Sequence, residues 1–488
     1  MKSINETLQD SKNLAFLILA FALFFVVAYL PLPDSVRYVG DATLTPQGQV
    51  TMAVLTLALV LWMTEAIPFH ITGLLGIILI ALFRVDSFKN VVQLGFGNHI
   101  VVFFIGVLVL SAFISKSGIG KRISVFLLSK TGNDTRVIIL GFLVVGALLS
   151  MWITDMAVAA MLMPLAKAIL DEEGIKPLQS NFGRALMIST AWGPIIGGTG
   201  TPAGCGPNPL AISYLSEMAG ISITFPQWML YGVPVALLLL LPAWGILLLF
   251  FPLEIKNLSK SKEELKNEYE HLPPWSREEI ITLVIFSLTV FLWLTSAPLS
   301  RRLGIDIPIS LPVLLTSLLF FFPKMSRIPW KKIEHEISWS SILLVVSGIS
   351  LGIVLYQTGA ANWISLVLLG RIGGIHPFIQ ILLIILIVSL LKVVLSSNTV
   401  TGTIIIPIII ALAQNLDISV LSITLPAAIT TSLAFILVTS TPTNVIPYSA
   451  GYFSITDMAK AGVVMTLVSS VIVAATLYLI GLLTGLYI

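Results

Sequence analysis

Two stretches of hydrogen-bonding side chains interrupt apolar segments of this sequence near their centres. One is Thr154-Asp155, and the other is Ser397-Asn398-Thr399. Backbone that leaves the helical path inside a membrane exposes N–H and C=O groups, which is costly unless protein, water or ligand replaces the lost bonds. Polar side chains at such points therefore predict two turns that line an aqueous cavity rather than lipid.

Two further interruptions combine glycine and proline with polar side chains. They are "GTGTPAGCGPN", which contains Gly204 and Cys205, and "VTSTPTN", which contains Ser440, Thr441 and Pro442. Proline is favoured near the first position of a helix, and threonine is a good cap before it, so a helix restarts at each site. Two more helices follow the polar stretches. Each helix N-terminus carries about half a positive charge, so four of them predict an anion site, most simply for carboxylates.

The composition identifies the chain as a membrane protein. Of its 488 residues, 57% are hydrophobic and only 10% are charged, whereas a soluble domain has about 25% charged residues. Apolar runs of roughly 20 residues, the length that crosses a bilayer as a helix, predict an all-α polytopic protein with about eleven transmembrane helices. The single cysteine excludes an intramolecular disulfide. With a formal net charge of +3, the lipid bilayer is the expected partner and nucleic acid is not.

The lysine and arginine distribution predicts the topology. The expected spans lie near 14–32, 50–66, 69–83, 100–116, 184–200, 228–252, 279–296, 308–323, 338–357, 423–440 and 460–486. If both interrupted segments return to the side from which they start, most basic residues in the connections lie on the N-terminal side. The positive-inside rule then makes the N-terminus cytoplasmic and the C-terminus external. It also favours two re-entrant hairpins over two full crossings.

The chain is predicted to contain two repeats of opposite orientation. The expected units are 1–49 (first helix and external loop), 50–253 (first repeat, with hairpin 137–170 and broken span 184–218), 254–279 (cytoplasmic linker) and 280–488 (second repeat, with hairpin 378–412 and broken span 423–451). Inverted repeats with paired Gly/Pro-interrupted spans are typical of secondary transporters that bind substrate near the membrane midplane.

The motifs resemble those of the divalent anion/sodium symporter family. The resemblance rests on "WMTEAIPFHITGLL", on the Ser-Asn-Thr tip of the second hairpin and on "STPTN" in the second broken span. It implies a plasma-membrane homodimer in which a transport domain moves like an elevator against a scaffold domain. The residues that it implies for substrate contact are Asn398, Thr399, Thr441 and Pro442. We expect the substrate site to include, in addition, Thr154, Asp155, Gly204, Cys205 and Ser397. Those that the resemblance implies around the sodium positions are Ser397, Asn398 and Ser440 in the second half, and Gly204 and Cys205 in the first.

The first hairpin departs from the family pattern. Thr154-Asp155-Met156 stands where the family has Ser-Asn-Thr, which removes a hydroxyl donor and adds a negative charge beside an anionic substrate. Two like charges in a partly dehydrated site repel by roughly a few kcal/mol, so Asp155 must be protonated, paired with a cation or turned away. Lys392, before the opposite tip, is the candidate cation. The alternative is that Lys392 extends to the outer membrane surface.

The departure of the first hairpin tip from the family pattern affects which mode of transport the sequence predicts. "GTGTPAGCGPN" resembles the plastidic 2-oxoglutarate/malate translocators, which favours sodium-independent exchange of C4/C5 dicarboxylates such as malate, succinate, fumarate and 2-oxoglutarate. The alternative is a sodium-coupled dicarboxylate symporter in which Asp155 is a sodium ligand. Sulfate transport and a channel are further alternatives.

A membrane-embedded enzyme is the remaining alternative. The five histidines are scattered, with none at metal-binding spacing, and no serine has a general base nearby in sequence. An isolated serine such as Ser432 is expected only to pack helices together. We therefore expect a transporter with no enzymatic activity and no cofactor. Sodium is expected only if the alternative, sodium-coupled mode of transport applies.

Overall fold

The protein is almost entirely helical, as the sequence predicts. A computed structural model describes residues 4–258 and 271–485, so the predicted linker 254–279 lies partly outside the described residues. The helices are α1 (Ile4–Tyr29), α2 (Asp34–Arg37), α3 (Pro46–Thr64), α4 (Phe69–Leu82), α5 (Phe88–Phe96), α6 (His99–Ser117), α7 (Ile119–Leu128), α8 (Thr135–Ser150), α9 (Asp155–Glu172), α10 (Asn181–Gly198), α11 (Pro207–Ala219), α12 (Phe225–Phe250), α13 (Arg277–Leu303), α14 (Ser310–Leu319), α15 (Trp330–Glu334), α16 (Trp339–Gln357), α17 (Ala360–Leu369), α18 (Pro377–Val394), α19 (Asn398–Asn415), α20 (Val420–Ser432), α21 (Pro442–Tyr448) and α22 (Ile455–Thr484). Two short antiparallel strands, β1 (Tyr38–Val39) and β2 (Ala42–Thr43), form a small hairpin between α2 and α3.

The helix lengths agree with a polytopic membrane protein. Within the described residues, nine helices are long and apolar enough to cross a bilayer. The predicted span 308–323 is shorter than expected, because α14 has only ten residues. At 1.5 Å per residue it rises about 15 Å, roughly half of the hydrocarbon thickness. It packs between α6 and α13.

Both interrupted segments fold as helical hairpins. The first consists of α8 and α9, which are joined by a turn at 151–154, and the second of α18 and α19, which are joined at 395–397. The broken spans are α10–α11 and α20–α21, whose connections are the loops 199–206 and 433–441. Each polar interruption in the sequence therefore lies at a hairpin tip or at a break between two helices.

The two halves interlock through these elements. In each half the first part of the broken span packs on the hairpin of its own half, α10 on α8 and α20 on α18 and α19. The second part packs on the hairpin of the opposite half, so that α11 contacts α19 and α21 contacts α9. Because of these contacts between the two halves, all four polar interruptions lie close together.

Short helices that the sequence analysis did not predict lead towards each hairpin. α7 follows α6, and α17 follows α16, at equivalent positions of the two halves. The connection within each pair contains one glycine with a left-handed backbone, Gly118 (φ 88°) in the first half and Gly359 (φ 74°) in the second. Glycine adopts this conformation without steric cost and commonly ends a helix, so the repeated glycine sets the same bend in both halves.

Candidate functional site

The first hairpin tip is bonded to the first broken loop. Thr154 precedes α9 and Asp155 is its first residue. The backbone N–H of Asp155 donates to the carbonyl of Gly204 (3.2 Å), and its Oδ1 accepts from the N–H of Met156 (2.8 Å). Its Oδ2 lies 3.8 Å from Sγ of Cys205. The structure thus brings three of the predicted residues of the first half into contact, with Asp155 only 9% exposed.

The second hairpin tip meets the same cysteine. Ser397 caps α19, with its Oγ accepting from the N–H of Val400 (3.4 Å). Asn398 Nδ2 donates to the carbonyl of Ser432 (3.3 Å) and lies 3.8 Å from Sγ of Cys205. The other amide atom, Asn398 Oδ1, is buried without a hydrogen-bond partner in the described part of the chain. Cys205 therefore lies between the two tips, and Asn398 keeps one acceptor available.

The first broken loop also touches Thr399. A Cβ atom placed on Gly206 would lie 2.7 Å from Oγ1 of Thr399, closer than real side chains approach. A side chain at this position would force the Thr399 hydroxyl to move, so the glycine lets this loop pack directly against the second tip. The first broken loop and the second hairpin tip are thus adjacent, as one anion site formed by several helix N-termini requires.

An asparagine braces each broken span from within. Asn208 Nδ2 donates to the carbonyls of Gly198 (2.8 Å) and Thr201 (2.7 Å). Asn444 Nδ2 donates in the same way to the carbonyls of Ala434 (2.9 Å) and Leu437 (3.1 Å). Both amides bond carbonyls at the helix break, and so replace backbone hydrogen bonds that the break removes.

In the second broken span, Thr441 caps α21 and Pro442 occupies its first position. The Thr441 side chain accepts from the N–H of Thr443 (3.4 Å). Ser440 is 3% exposed and lines a separate small pocket with Ser389 and Lys392. The predicted substrate residues of this loop and its predicted sodium residue therefore face different spaces.

One cavity of about 720 Å³ contains both tips. Its lining includes every predicted substrate residue except Gly204: Thr154, Asp155, Cys205, Ser397, Asn398, Thr399, Thr441 and Pro442. Its ionisable lining groups are Glu65, His70 and Asp155, and no lysine or arginine from the described residues lines it. The cavity thus combines hydrogen-bond donors at the second tip with an acidic character at the first.

Lys392 is buried behind the second tip and does not extend to the surface. Its Nζ donates to the carbonyl of Thr431 (2.7 Å), near the C-terminal end of α20, and the residue is 4% exposed. It shares a small separate pocket with Ser389 and Ser440. A cation at a helix C-terminus is favoured by the helix dipole, so the ammonium is held where a bound cation would be stabilised.

Several residues of the site were not predicted from the sequence. Ser432, expected to be a packing residue only, donates its Oγ to Asn208 Oδ1 (3.2 Å) and accepts from Asn398 through its carbonyl. Thr443, Met156 and the rim residues Glu65 and His70 also line the cavity. Asn208 and Asn444 could have been identified from the sequence, because each follows the proline of its broken span, Pro207 or Pro442, by one or two positions.

Comparison with known proteins identifies the family. Residues 11–484 match the family model described as the transmembrane region of sodium:sulfate symporters. The chain belongs to the divalent anion/sodium symporter family. This match confirms the resemblance drawn from the tip and broken-span motifs.

Curated members of the divalent anion/sodium symporter family resemble the chain over most of its length. A relative from Staphylococcus saprophyticus, named sodium-dependent dicarboxylate transporter SdcS, is 28% identical over 478 residues, covering 95% of this chain and 90% of the relative. The protein of the same name from Staphylococcus aureus strain USA300 is 28% identical over 454 residues, covering 89% and 87%.

Two solved transporter structures share the fold. The YdaH transporter of Alcanivorax borkumensis has a TM-score of 0.54 at 13% identity, covering 98% of both chains. MtrF of Neisseria gonorrhoeae, described among antimetabolite efflux pumps, has a TM-score of 0.56 at 14% identity, covering 96% of this chain and 94% of its own. These similarities support the polytopic transporter fold and carry no information on substrate.

Proposed function

We propose that this protein is a secondary transporter that carries C4/C5 dicarboxylates through the cavity between the two hairpin tips, in symport with sodium. The observation that carries the proposal is the meeting of both tips and both broken loops around one cavity. Inverted hairpins and broken spans at the membrane midplane belong to alternating-access transporters.

The second tip supplies the chemistry for a carboxylate. Ser397, Asn398 and Thr399 stand at the start of α19, which has 18 residues. The N-terminus of a helix stabilises a negative charge through its free N–H groups and its dipole. The relatives from both staphylococci are named for dicarboxylates, which supports the same substrate class here.

The acidic cavity supports coupling to a cation. A dicarboxylate that enters next to Asp155 and Glu65 adds two negative charges to a space that no described lysine or arginine lines. A cation that enters with the substrate reduces this repulsion. The relatives are named sodium-dependent, so sodium is the proposed cation. Sodium symport, the alternative in the sequence analysis, is thus better supported than sodium-independent exchange.

Exchange without sodium is the second candidate, and Lys392 is the observation that favours it. Its buried ammonium shares a pocket with Ser440, a residue implied at the second sodium position. A fixed positive charge at that position would replace one bound sodium. In an exchanger, the empty binding site does not move across the membrane. Each crossing in one direction with bound substrate must therefore be followed by a crossing in the other direction with bound substrate.

We further infer the cycle and the orientation. The rim of the cavity includes Asn13, Glu65, His70 and Ser338, all of which the predicted topology assigns to the cytoplasmic side. The described conformation is then inward-facing, in the plasma membrane, with an external C-terminus. The hairpins and broken spans would form the moving part of an elevator, and the remaining spans a scaffold that also joins two copies into a homodimer.

Flux measurements in proteoliposomes test the proposal. An inward sodium gradient should drive uptake of labelled malate into vesicles that contain no dicarboxylate, and equimolar potassium should not. Uptake that needs internal dicarboxylate and ignores sodium would replace symport by exchange. If labelled sulfate is taken up and no dicarboxylate enters under either condition, the proposed substrate class is wrong.

A further inference from the structure

A second cavity lies between the first hairpin and α13, away from the site described above. It has a volume of about 210 Å³. Its walls are the bend between α6 and α7, the end of α8 with the turn that follows it, and the first part of α13. None of the described residues that line it also lines the cavity between the tips. Trp152 of the turn and Phe286 of α13 meet edge to face in its wall, with ring centroids 5.7 Å apart.

The lining of this second cavity selects an apolar occupant. Of the described side chains that form it, all are apolar except Thr282. A water molecule in a protein interior needs about two to four polar partners. A cavity of about 150 Å³ lined by leucine, isoleucine and phenylalanine excludes water and binds benzene. The larger cavity here is therefore suited to a hydrocarbon group.

The second cavity opens towards the hydrocarbon region of the bilayer. Leu148 and Leu283, which line it, are 40% and 38% exposed, so its mouth lies on the outer surface of the helices. The charged residues 277–279 begin α13, which places that end of the helix at the membrane surface. Thr282 and Phe286 follow residue 277 by five and nine positions, which is about 8–14 Å along the helix. The acyl chains of lipids occupy this depth.

The predicted topology places α7 on the cytoplasmic side, and the chain around this helix is basic. α7 carries Lys121 and Arg122, and Lys130 follows it. Residues 99–133 contain no aspartate or glutamate. Nε of Arg122 donates to Oε1 of Glu279 (2.6 Å), which ties α7 to the start of α13 beside the cavity. Lys121 and Lys130 are exposed, and basic groups beside membrane helices on the cytoplasmic side attract anionic lipid headgroups.

We propose that the second cavity binds one acyl chain of an anionic phospholipid from the cytoplasmic leaflet, with the headgroup held at the basic surface around α7. A phospholipid supplies both features that the site requires, a hydrocarbon chain for the cavity and a negative charge for Lys121 and Lys130. The first hairpin forms one wall of the cavity and α13 another. The bound chain thus lies between two elements that the proposed elevator moves relative to each other. The inference does not depend on which anion is transported.

Photolabelling tests the lipid site. The full-length protein is reconstituted in phosphatidylcholine vesicles that contain a trace of phosphatidylglycerol with a diazirine in the middle of one acyl chain. After irradiation, adducts should concentrate on α7, the end of α8 and the start of α13. The matching phosphatidylcholine probe should label these segments several-fold less. Excess unlabelled phosphatidylglycerol should reduce the labelling by the first probe.

Two variants and a control separate the chain from the headgroup. Thr282→Phe fills the cavity and should lower the adducts in these segments several-fold. Leu241→Phe is the control, because Leu241 is 64% exposed on α12 and does not line the cavity. The double variant Lys121→Gln/Lys130→Gln should bring labelling by the two probes close to equality.

A different pattern of adducts overturns the inference. Adducts spread over all outward-facing helices, and unchanged by Thr282→Phe, would show ordinary contact with the bilayer. Equal labelling of the cavity by both probes in the wild type would show that no anionic headgroup is selected. If a diazirine fatty acid labels these segments more strongly than the phosphatidylglycerol probe, the occupant is a free fatty acid instead. Should Thr282→Phe not yield folded protein, the comparison of the two probes on the wild type and on the double lysine variant still decides.

Discussion

At the scale of single residues, Asn398 holds the second tip in place with one amide atom and leaves the other available. Its Nδ2 is bonded to the Ser432 carbonyl, while its Oδ1 is buried and without a described partner. A buried acceptor without a partner is costly in a finished fold. We interpret Oδ1 as an acceptor for a bound cation or for a donor group of the substrate.

Replacement of Asn398 by alanine should remove transport without removing the fold. Loss of hydrogen bonds to charged ligands costs about 1.5–3 kcal/mol each, so uptake should fall about tenfold or more. Asn415→Ala is the matched control, because Asn415 ends the same helix, with its Nδ2 3.1 Å from Ser365 Oγ outside the cavity. Equal uptake by both variants, normalised to protein in the vesicles, would show that Asn398 does not belong to the site.

Replacement of Lys392 by glutamine tests whether its ammonium substitutes for a bound cation. Removal of the fixed charge should increase the need for sodium, so the sodium concentration at half-maximal malate uptake should rise several-fold. Ser389→Ala, in the same small pocket, should leave the sodium dependence near that of the wild type. An unchanged sodium curve in Lys392→Gln would assign the ammonium a purely structural role at the end of α20.

At the scale of elements, the first hairpin and the first broken span approach to backbone contact at Gly197. α8 and α10 make the most extensive helix contact of the described fold. A Cβ atom on Gly197 would overlap the backbone of Ala147. Small residues permit such close packing between membrane helices. This contact keeps the tip of the hairpin at the level of the break, where Asp155 and Gly204 bond.

Gly197→Ala should therefore destabilise the protein. Overpacking typically costs about 1–3 kcal/mol, which should lower the apparent Tm of the purified protein in detergent by several degrees. Gly245→Ala is the control, because nothing lies within 4 Å of its added Cβ in α12, and alanine there favours the helix by about 1 kcal/mol. If both variants melted alike, the contact between α8 and α10 would be looser than described.

At the scale of the whole molecule, the cavity is open at one end and hydrogen bonds close the other. On the side opposite the rim, the Tyr356 hydroxyl donates to Gln414 Oε1 (2.5 Å) and lies 3.1 Å from the Met218 carbonyl. Asn98 Nδ2 donates to Ser213 Oγ (3.1 Å). These bonds join α16 and the start of α6 to the hairpin and broken-span helices. A transporter that alternates access must break them to open the site on this side.

Cys205 offers a direct test, because it is the only cysteine of the chain and it lines the cavity. A membrane-impermeant maleimide should label it from the side of the N-terminus, and malate should slow the labelling. Tyr356→Phe weakens the closed side and should raise labelling from the opposite side. Cys205→Ala gives the background. Labelling of the wild type mainly from the opposite side would reverse the proposed orientation.

The hairpins and broken spans could be located from the sequence because lipid penalises every unpaired backbone group. Polar side chains, glycine and proline within an apolar run are tolerated together only at a break, so Ser397–Thr399 and Pro442 identify a tip and a helix start through their residue types alone. The paired interruptions also predicted that the breaks face one space. This reasoning uses only the residue types around each break, and it is reliable where an unpaired backbone group in lipid would cost a large free energy.

The tertiary structure alone decided where the remaining side chains point. Lys392 could equally have extended to the surface, and only the packing of α18 against α20 directs its ammonium to the Thr431 carbonyl. Ser432 and Cys205 gained their roles from neighbours some two hundred residues distant in the chain. Inside a membrane, apolar periodicity does not separate a lipid-facing side of a helix from a side packed against other helices, since both favour apolar residues. Which side faces the cavity depends on which helices meet, and that follows from the interlocking of the two halves.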